Sequence, residues 1–346
     1  MAITAALRSR LTLSSQVGPI PSSHRASSLI ERGRLPDFLR LMKPRVMVLA
    51  VFTAVVGMII APVDLDPLHA FAGVIAIAAG AGAAGMLNMW YDADIDAVMT
   101  RTAMRPIPRG KISRRAALVV GVVLAGGAVG LLGFVANVMA GALLAGAILF
   151  YAVVYTAWLK RLTPQNIVIG GAAGALPPVI GWAAATGQIG LEPLVLFLII
   201  FLWTPPHFWA LALNRTDEYA RAGVPMLPVV AGRVATTRQI LFYCALLAAA
   251  SALPWALGFA GPIYGVAAMA CGAILVVLAI QLRRSDAADR RTPRRLFVFS
   301  IFYLFVLFAA LLADHANQAL HSTPASSSRT DAGTAGTSIT TGTDEV

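Results

Sequence analysis

Residues 68–110 read LHAFAGVIAIAAGAGAAGMLNMWYDADIDAVMTRTAMRPIPRG. The part up to Trp90 is almost wholly apolar and long enough to cross a bilayer as a helix, which takes about 20 residues. The remainder gathers three carboxylates (Asp92, Asp94, Asp96) and three arginines (Arg101, Arg105, Arg109) in a chain only 12% charged. An apolar run that ends in a dense charged loop decides the fold class, because runs of the same kind recur along the chain.

Candidate spans lie at 46–62, 68–90, 116–136, 138–158, 166–186, 193–213, 238–258, 263–281 and 296–313. Closed barrels alternate polar and apolar residues and this chain does not, so an all-α polytopic membrane protein with nine transmembrane helices is expected. Composition agrees: the chain is 58% hydrophobic, and a soluble domain of this size would carry roughly twice its share of charged residues. Three regions are expected. Residues 1–45 form a basic cytoplasmic arm, partly disordered, with a Ser- and Arg-bearing start a little like an organelle transit peptide and no secretory h-region. Residues 46–313 form the membrane domain, and the low-complexity tail 314–346 is expected to be disordered.

The net charge of +11 is explained by placement. The arm carries eight Lys/Arg, and the connections after spans two, four, six and eight carry six, two, four and six, against none in the other four connections and only Arg329 in the tail. Basic residues mark cytoplasmic loops, so the N-terminus is expected inside and a nucleic-acid role is excluded. Cys244 and Cys271 lie in apolar runs and read as small core residues.

A weak internal repeat accompanies this topology. The loops after spans two and six share an order of Asn, acid, basic residues, prolines, glycine and a basic residue before the next span. Asn88 and Asp92 correspond to Asn214 and Asp217, Pro106 and Pro108 to Pro225 and Pro228, and Gly110 to Gly232. The offset equals four spans, so two pseudo-repeated four-helix units plus one helix are expected, with two polar loops facing each other.

Asn88, Asp92 and Asp96 recur every four residues and line one helical face, whereas Asp94 points away. Carboxylates one turn apart repel unless a cation bridges them. Mg²⁺ suits such a site, since it takes hard oxygen ligands and commonly binds through one or two carboxylates plus substrate phosphates. Arg101 and Arg105, again four apart, can grip phosphate oxygens in bidentate fashion. The pattern reads as a diphosphate site, with Asn88, Asp92 and Asp96 as metal ligands and Arg109 and Lys111 as further contacts. The second loop, NRTDEYARAGVPMLPVV (Asn214 to Val230), adds Asp217 and Glu218 as acids and Asn214, Arg215 and Arg221 as contacts.

NxxxDxxxD at the end of the second span resembles the first aspartate-rich motif of the UbiA superfamily of intramembrane prenyltransferases. The longer strings NMWYDADIDAVMTRTAMRPIPRG, LWTPPHFWALAL and YARAGVPMLPVV are similar to the haem-farnesylating branch of that superfamily, and the resemblance covers about residues 36–312. It implies transfer of a farnesyl group from farnesyl diphosphate to a vinyl group of haem b with addition of water, with Mg²⁺ as cofactor. It also implies the bilayer as environment and haem A synthase or oxidase assembly factors as recipients. One departure stands out: the second motif of the superfamily is usually DxxxD, but Arg221 stands four residues after Asp217 here, so Glu218 would have to substitute. A bacterial inner membrane with the active site facing the cytoplasm is implied, the alternative being the mitochondrial inner membrane.

Ionising an allylic diphosphate leaves positive charge on the prenyl carbon, which aromatic faces can stabilise. Tyr151 and Tyr155 are candidates, as are Trp90, Tyr91 and Trp158, all of which also fit an interfacial belt. His207, in WTPPHFW within span six, can contact haem or join helices by hydrogen bonding. Pro205 and Pro206 before it, and Pro177 and Pro178 in span five, are expected to bend their helices. Rival readings are a prenyltransferase for a quinone or chlorophyll precursor, a transporter with broken helices, and a haem electron carrier, which would call for a second intramembrane histidine.

Overall fold

The computed structural model describes residues 34–322, which form helices and connecting turns with no strand among them. Eight of these helices are long and apolar enough to cross a membrane, and nine spans result when a bent pair near the N-terminus is taken as one. The chain is therefore an all-helical integral membrane protein, as expected.

The bent pair is α1 (Leu35–Leu41) and α2 (Pro44–Ile59), which meet at 58°. Pro44 opens α2 and disfavours helical geometry in the residue before it; Lys43 instead sits in the left-handed region at φ 57. Within the expected N-terminal arm, residues 35–41 are thus helical and folded. Leu41 is fully buried, in a cluster with Met86, Met89, Ile107 and Ile112. The rest of the arm up to residue 33 lies outside the described residues.

Then come α3 (Pro67–Tyr91), short α4 (Ala93–Val98), α5 (Arg114–Val135) and α6 (Val138–Leu162). Side-chain caps set their starts: Asp66 accepts from Leu68 N and His69 N, Ser113 from Ala116 N, and Asn137 from Ala140 N. The second half of α6, Phe150–Leu159, is π-helical. Next are α7 (Asn166–Thr186), interrupted at Leu176 where Pro177 follows, and α8 (Leu191–Leu213), which carries Pro205 and Pro206 inside it. After the short α9 (Thr216–Arg221) and α10 (Leu227–Val230), the described residues close with α11 (Gly232–Ala256), α12 (Pro262–Arg284) and α13 (Arg291–Ser322).

α13 runs past the boundary expected at 313, so residues 314–322 are helical rather than part of a tail. Asp314 is the cause: its carboxylate accepts from Ile263 N at 3.2 Å and Tyr264 N at 2.8 Å, tying α13 to the open N-terminus of α12. Residues 323–346 lie outside the described residues.

Two large apolar clusters divide the bundle. One is built from α2, α3, α5, α6 and the second half of α7; the other is built mainly from α8, α11, α12 and α13 and includes the buried, unpaired Cys244 and Cys271. The break at Leu176 divides α7 between them, with Ile167 in the second cluster and Ile180 in the first. Between α2 and α7 the backbones touch. A Cβ on Gly181 would stand 1.9 Å from Ala54 O, and one on Gly57 2.2 Å from Pro178 O. Small residues permit this approach where no water drives helices together.

The loops rich in basic residues meet at one end of the bundle. Lys43 reaches Asn88, Lys160 reaches Asp92, Asn214 Nδ2 donates to Arg290 O, and Arg233 donates to Ser285 Oγ. Each of these contacts joins two of the segments that the topology assigns to the same side.

Candidate active site

α3 ends at Tyr91, but its register continues: Asp92 N bonds to Asn88 O and Asp96 N to Asp92 O. The turn at Asp92 therefore keeps Asn88, Asp92 and Asp96 on one face, as the four-residue spacing predicts. All three are buried, Asp92 at 0% and Asp96 at 2% exposure. Carboxylates so deep demand compensating charge, and the fold supplies it from three segments.

Lys160 binds Asp92 Oδ2 directly, and Asn88 Nδ2 donates to the same oxygen at 2.9 Å. Arg105 NH1 donates to Asp96 Oδ2 at 2.5 Å. Lys43, at the bend between α1 and α2, donates to Asn88 Oδ1 at 2.5 Å. Thr156 accepts from Asn88 Nδ2 at 3.0 Å and donates to Tyr151 O at 2.7 Å. Asp94 faces away, as expected, and forms a bidentate pair with Arg161 at 2.8 and 2.9 Å. That guanidinium holds the Asp94 carboxyl at about 2, well below its ordinary value. Arg161 also lies 4.9 Å over the Tyr91 ring.

Lys43, Thr156, Lys160 and Arg161 are the residues that sequence reasoning missed. Lys160 and Arg161 were visible as a basic pair ending span four, but topology alone accounted for them. Nothing local announces Lys43.

The π-helical turn of α6 sets the aromatic wall, a conformation common at functional sites. Tyr151 and Tyr155 stack with centroids 5.4 Å apart. Tyr151 lies within electrostatic reach of Asp92, Asp96 and Arg105; Tyr155 lies within reach of Asp92, Arg101 and Tyr219. The second loop thus does approach the first, through Tyr155 and Arg101. Burial raises the pKa of the Tyr219 hydroxyl, and the positive charge of nearby Arg101 pulls it back. Trp158 is exposed on the outer surface, and Trp90 packs edge-on against Tyr91.

The second loop is assembled differently. Asp217 and Arg221 on α9 are exposed and Glu218 is half-buried. Arg215 donates to Glu218 Oε1 at 3.0 Å, three residues away. Arg109 is exposed, and Lys111 pairs with Asp37 at 3.6 Å, away from the acid pair. Asn214 ties the loop to Arg290. His207 is buried between α8 and α13, its Nδ1 2.7 Å from Ser300 Oγ and its ring stacked on Trp203 and Phe297. Its contacts come from these two helices rather than from the charged loops.

Among the described residues, no three His, Cys, Asp or Glu side chains converge as a ready metal cluster. Two carboxylate oxygens nevertheless lack hydrogen-bond partners although buried: Asp92 Oδ1 and Glu218 Oε2. Unpartnered buried oxygens of this kind suit a hard divalent cation, so the residues fit Mg²⁺.

Beneath the charged cluster lies an apolar cavity of about 170 Å³. Lys43 and Tyr151 line it together with Met47, Ala84, Leu144 and Ile180, from helices α2, α3, α6 and α7. A polar head bound by the charged groups would therefore have an apolar space directly behind it.

Residues 50–313 match the UbiA prenyltransferase family. The chain is 58% identical over 276 residues to a protoheme IX farnesyltransferase of Rhodopseudomonas palustris (strain HaA2), covering 79% of this chain and 88% of that one. It is 57% identical to the corresponding protein of Afipia carboxidovorans, over 80% and 88% of the two chains. Among solved structures, a digeranylgeranylglyceryl phosphate synthase superposes with a TM-score of 0.69 at 19% identity, over 82% of this chain and 99% of that one. A UbiA homologue from Archaeoglobus fulgidus bound to GPP and Mg²⁺ gives 0.59 at 18% identity, over 80% and 99%. With a family match across most of its length and relatives this similar, the chain belongs to the UbiA prenyltransferase family.

Proposed function

We propose that this protein transfers a farnesyl group from farnesyl diphosphate to a vinyl group of haem b, with addition of water, giving haem O and diphosphate. The observation that carries the reading is the buried Asp92–Asp96 pair, ringed by Lys43, Arg105 and Lys160, at the mouth of an apolar cavity. The haem acceptor rests on relatives of 57–58% identity named protoheme IX farnesyltransferase. The charged end of the bundle faces the cytoplasm in this reading, in a bacterial inner membrane, and the catalytic unit is the domain expected at 46–313 extended forward to take in Lys43 and α1.

Mg²⁺ would be held by Asp92 and Asp96 with Asn88, and by Glu218 or Asp217 from the second loop; when bound it offsets charge on the diphosphate. Lys43, Lys160, Arg105 and Arg101 are placed to take the diphosphate oxygens, with Arg215 behind Glu218. As the allylic C–O bond breaks, these cations stabilise the departing diphosphate. The stacked Tyr151 and Tyr155 rings stabilise the positive prenyl carbon and keep water from it. The haem vinyl group then donates its π electrons to that carbon, forming the new C–C bond. Water adds to the cationic carbon left beside the porphyrin and loses a proton. His207, with Ser300 orienting Nδ1, is proposed to contact haem.

The direct test is to incubate folded, purified protein with haem b, farnesyl diphosphate and Mg²⁺ and to weigh the pigment. The expected product gains a farnesyl and a hydroxyl group; a folded preparation that leaves haem unchanged sinks the proposal. His207→Ala is expected to weaken haem binding without altering the affinity for farnesyl diphosphate, and unchanged haem affinity would return His207 to a purely structural role.

A further inference from the structure

The last two spans form a second feature at the charged end, lined by none of the residues around the acid pair. A groove of about 750 Å³, open along one side, runs between α12 and α13. Its α13 wall is a single stripe: Arg291, Arg294 and Arg295, followed by Val298, Phe299 and Phe302. These positions recur every three or four residues and so share one helix face. Ile274 and Leu278, one turn apart on α12, form the other wall. The groove is thus cationic at its outer end and apolar along its length.

The three guanidiniums are exposed, and none forms an ion pair or side-chain hydrogen bond with another described residue. Asp289, the acid next to them in sequence, has its carboxylate taken up by the backbone N–H groups of Arg291 and Thr292 and by the Thr292 hydroxyl. The first turn of α13 contains no acid. Asp289 thus caps the helix end itself, and the three guanidiniums beside it are left without an anionic partner among the described residues, an arrangement that favours a bound anion. Topology alone does not require them there, since Arg283, Arg284 and Arg290 already mark this connection as basic.

We propose that this groove is a binding site for an anionic phospholipid, with the phosphate on Arg291, Arg294 and Arg295 and an acyl chain along Val298, Phe299 and Phe302. Charge complementarity selects the occupant: a zwitterionic lipid would bring a second positive group to a site that already has three. The distance from Arg295 to Phe302 corresponds to about 10 Å of helix, within one leaflet of about 15 Å. Basic pockets between membrane helices on the cytoplasmic side take such headgroups. The site uses no residue of the acid-bearing loops and does not depend on the reaction proposed above.

The test uses the full chain in nanodiscs of phosphatidylcholine with or without phosphatidylglycerol. A photoreactive phosphatidylglycerol should label peptides covering 274–278 and 291–302, and unlabelled phosphatidylglycerol should compete. The triple variant Arg291→Gln/Arg294→Gln/Arg295→Gln should lose labelling at least about tenfold. The charge-matched triple Arg283→Gln/Arg284→Gln/Arg290→Gln should keep it. Equal loss in both triples would reduce the effect to diffuse surface charge and overturn the site. So would labelling spread evenly over other spans of the wild type, a result that needs no variant to fold. Displacement of the lipid by added haem b, but not by phosphatidylglycerol, would reassign the groove to haem and equally overturn the proposal.

Discussion

Asp92 lies fully buried, and its strongest partner, Lys160, comes from 68 residues away; Glu218 is half-buried and held by Arg215, three residues before it. Both loops carry an asparagine, acids and arginines in the same order, yet the fold draws Lys43, Thr156 and Lys160 onto the first and leaves the second to neutralise itself. The first loop is thus a rigid, prebuilt cluster, costly to disturb because removing one partner of a buried pair strands the other. The second is a peripheral element with one exposed acid, one inward oxygen without a partner and a tyrosine that reaches Arg101. In the proposed reaction the first loop would hold the diphosphate and the second would contribute Glu218 at its side.

That contrast can be broken most sharply at Asp92. Asp92→Asn is expected to lower turnover at least about 10³-fold, measured as farnesylated haem per minute, with membrane insertion unchanged. Survival of activity would mean that the buried pair is structural. Lys160→Met should come next, leaving Asp92 with only the 4.0 Å Arg161 pair and the Asn88 hydrogen bond, at a cost of about 3 kcal/mol, which a thermal unfolding scan in detergent would register. If unfolding is unmoved, the ion pair is not what holds the first loop.

Gly170→Ala tests the aromatic wall. Its Cβ would fall 2.2 Å from the Tyr155 ring, so the ring must shift. Overpacking of this kind costs about 1–3 kcal/mol, and the rate should fall about tenfold with farnesyl diphosphate affinity less affected. In the second loop, Glu218→Gln should raise the Mg²⁺ concentration needed for half-maximal rate about tenfold, and Asp217→Asn only about twofold, since one half-buried charge-assisted contact is at stake. The reverse order would make the exposed acid the ligand.

The smallest effect is expected at Asp94. Its pKa is held at about 2 by Arg161, below the ordinary 3.8. A lowered folded-state value means that its contribution is complete above 3.8 and is lost only as pH falls from there toward 2. Asp94→Asn should therefore leave both stability and rate nearly flat with pH between about 5 and 8, well above the range in which Asp94 titrates; a variant that lost activity at neutral pH would place Asp94 in the site.

Much of this protein was legible before any coordinate. Apolar runs such as 68–90 announce spans because only a helix satisfies its own backbone in lipid, and alternating loop charge orders them. The four-residue spacing of Asn88, Asp92 and Asp96 places them on one face by helix geometry alone. Those properties are local, carried by residues within a turn or a span of one another. Other features required the packed bundle: Lys43 delivered by the bend at Pro44, Lys160 and the two tyrosines brought in by the π-helical end of α6, and α13 prolonged by Asp314 bonding to the start of α12. Each depends on where distant helices meet, and a charged residue at the end of a span reads the same in sequence whether it faces water or completes a buried ion pair. Burial decides which, and burial is a property of the tertiary structure.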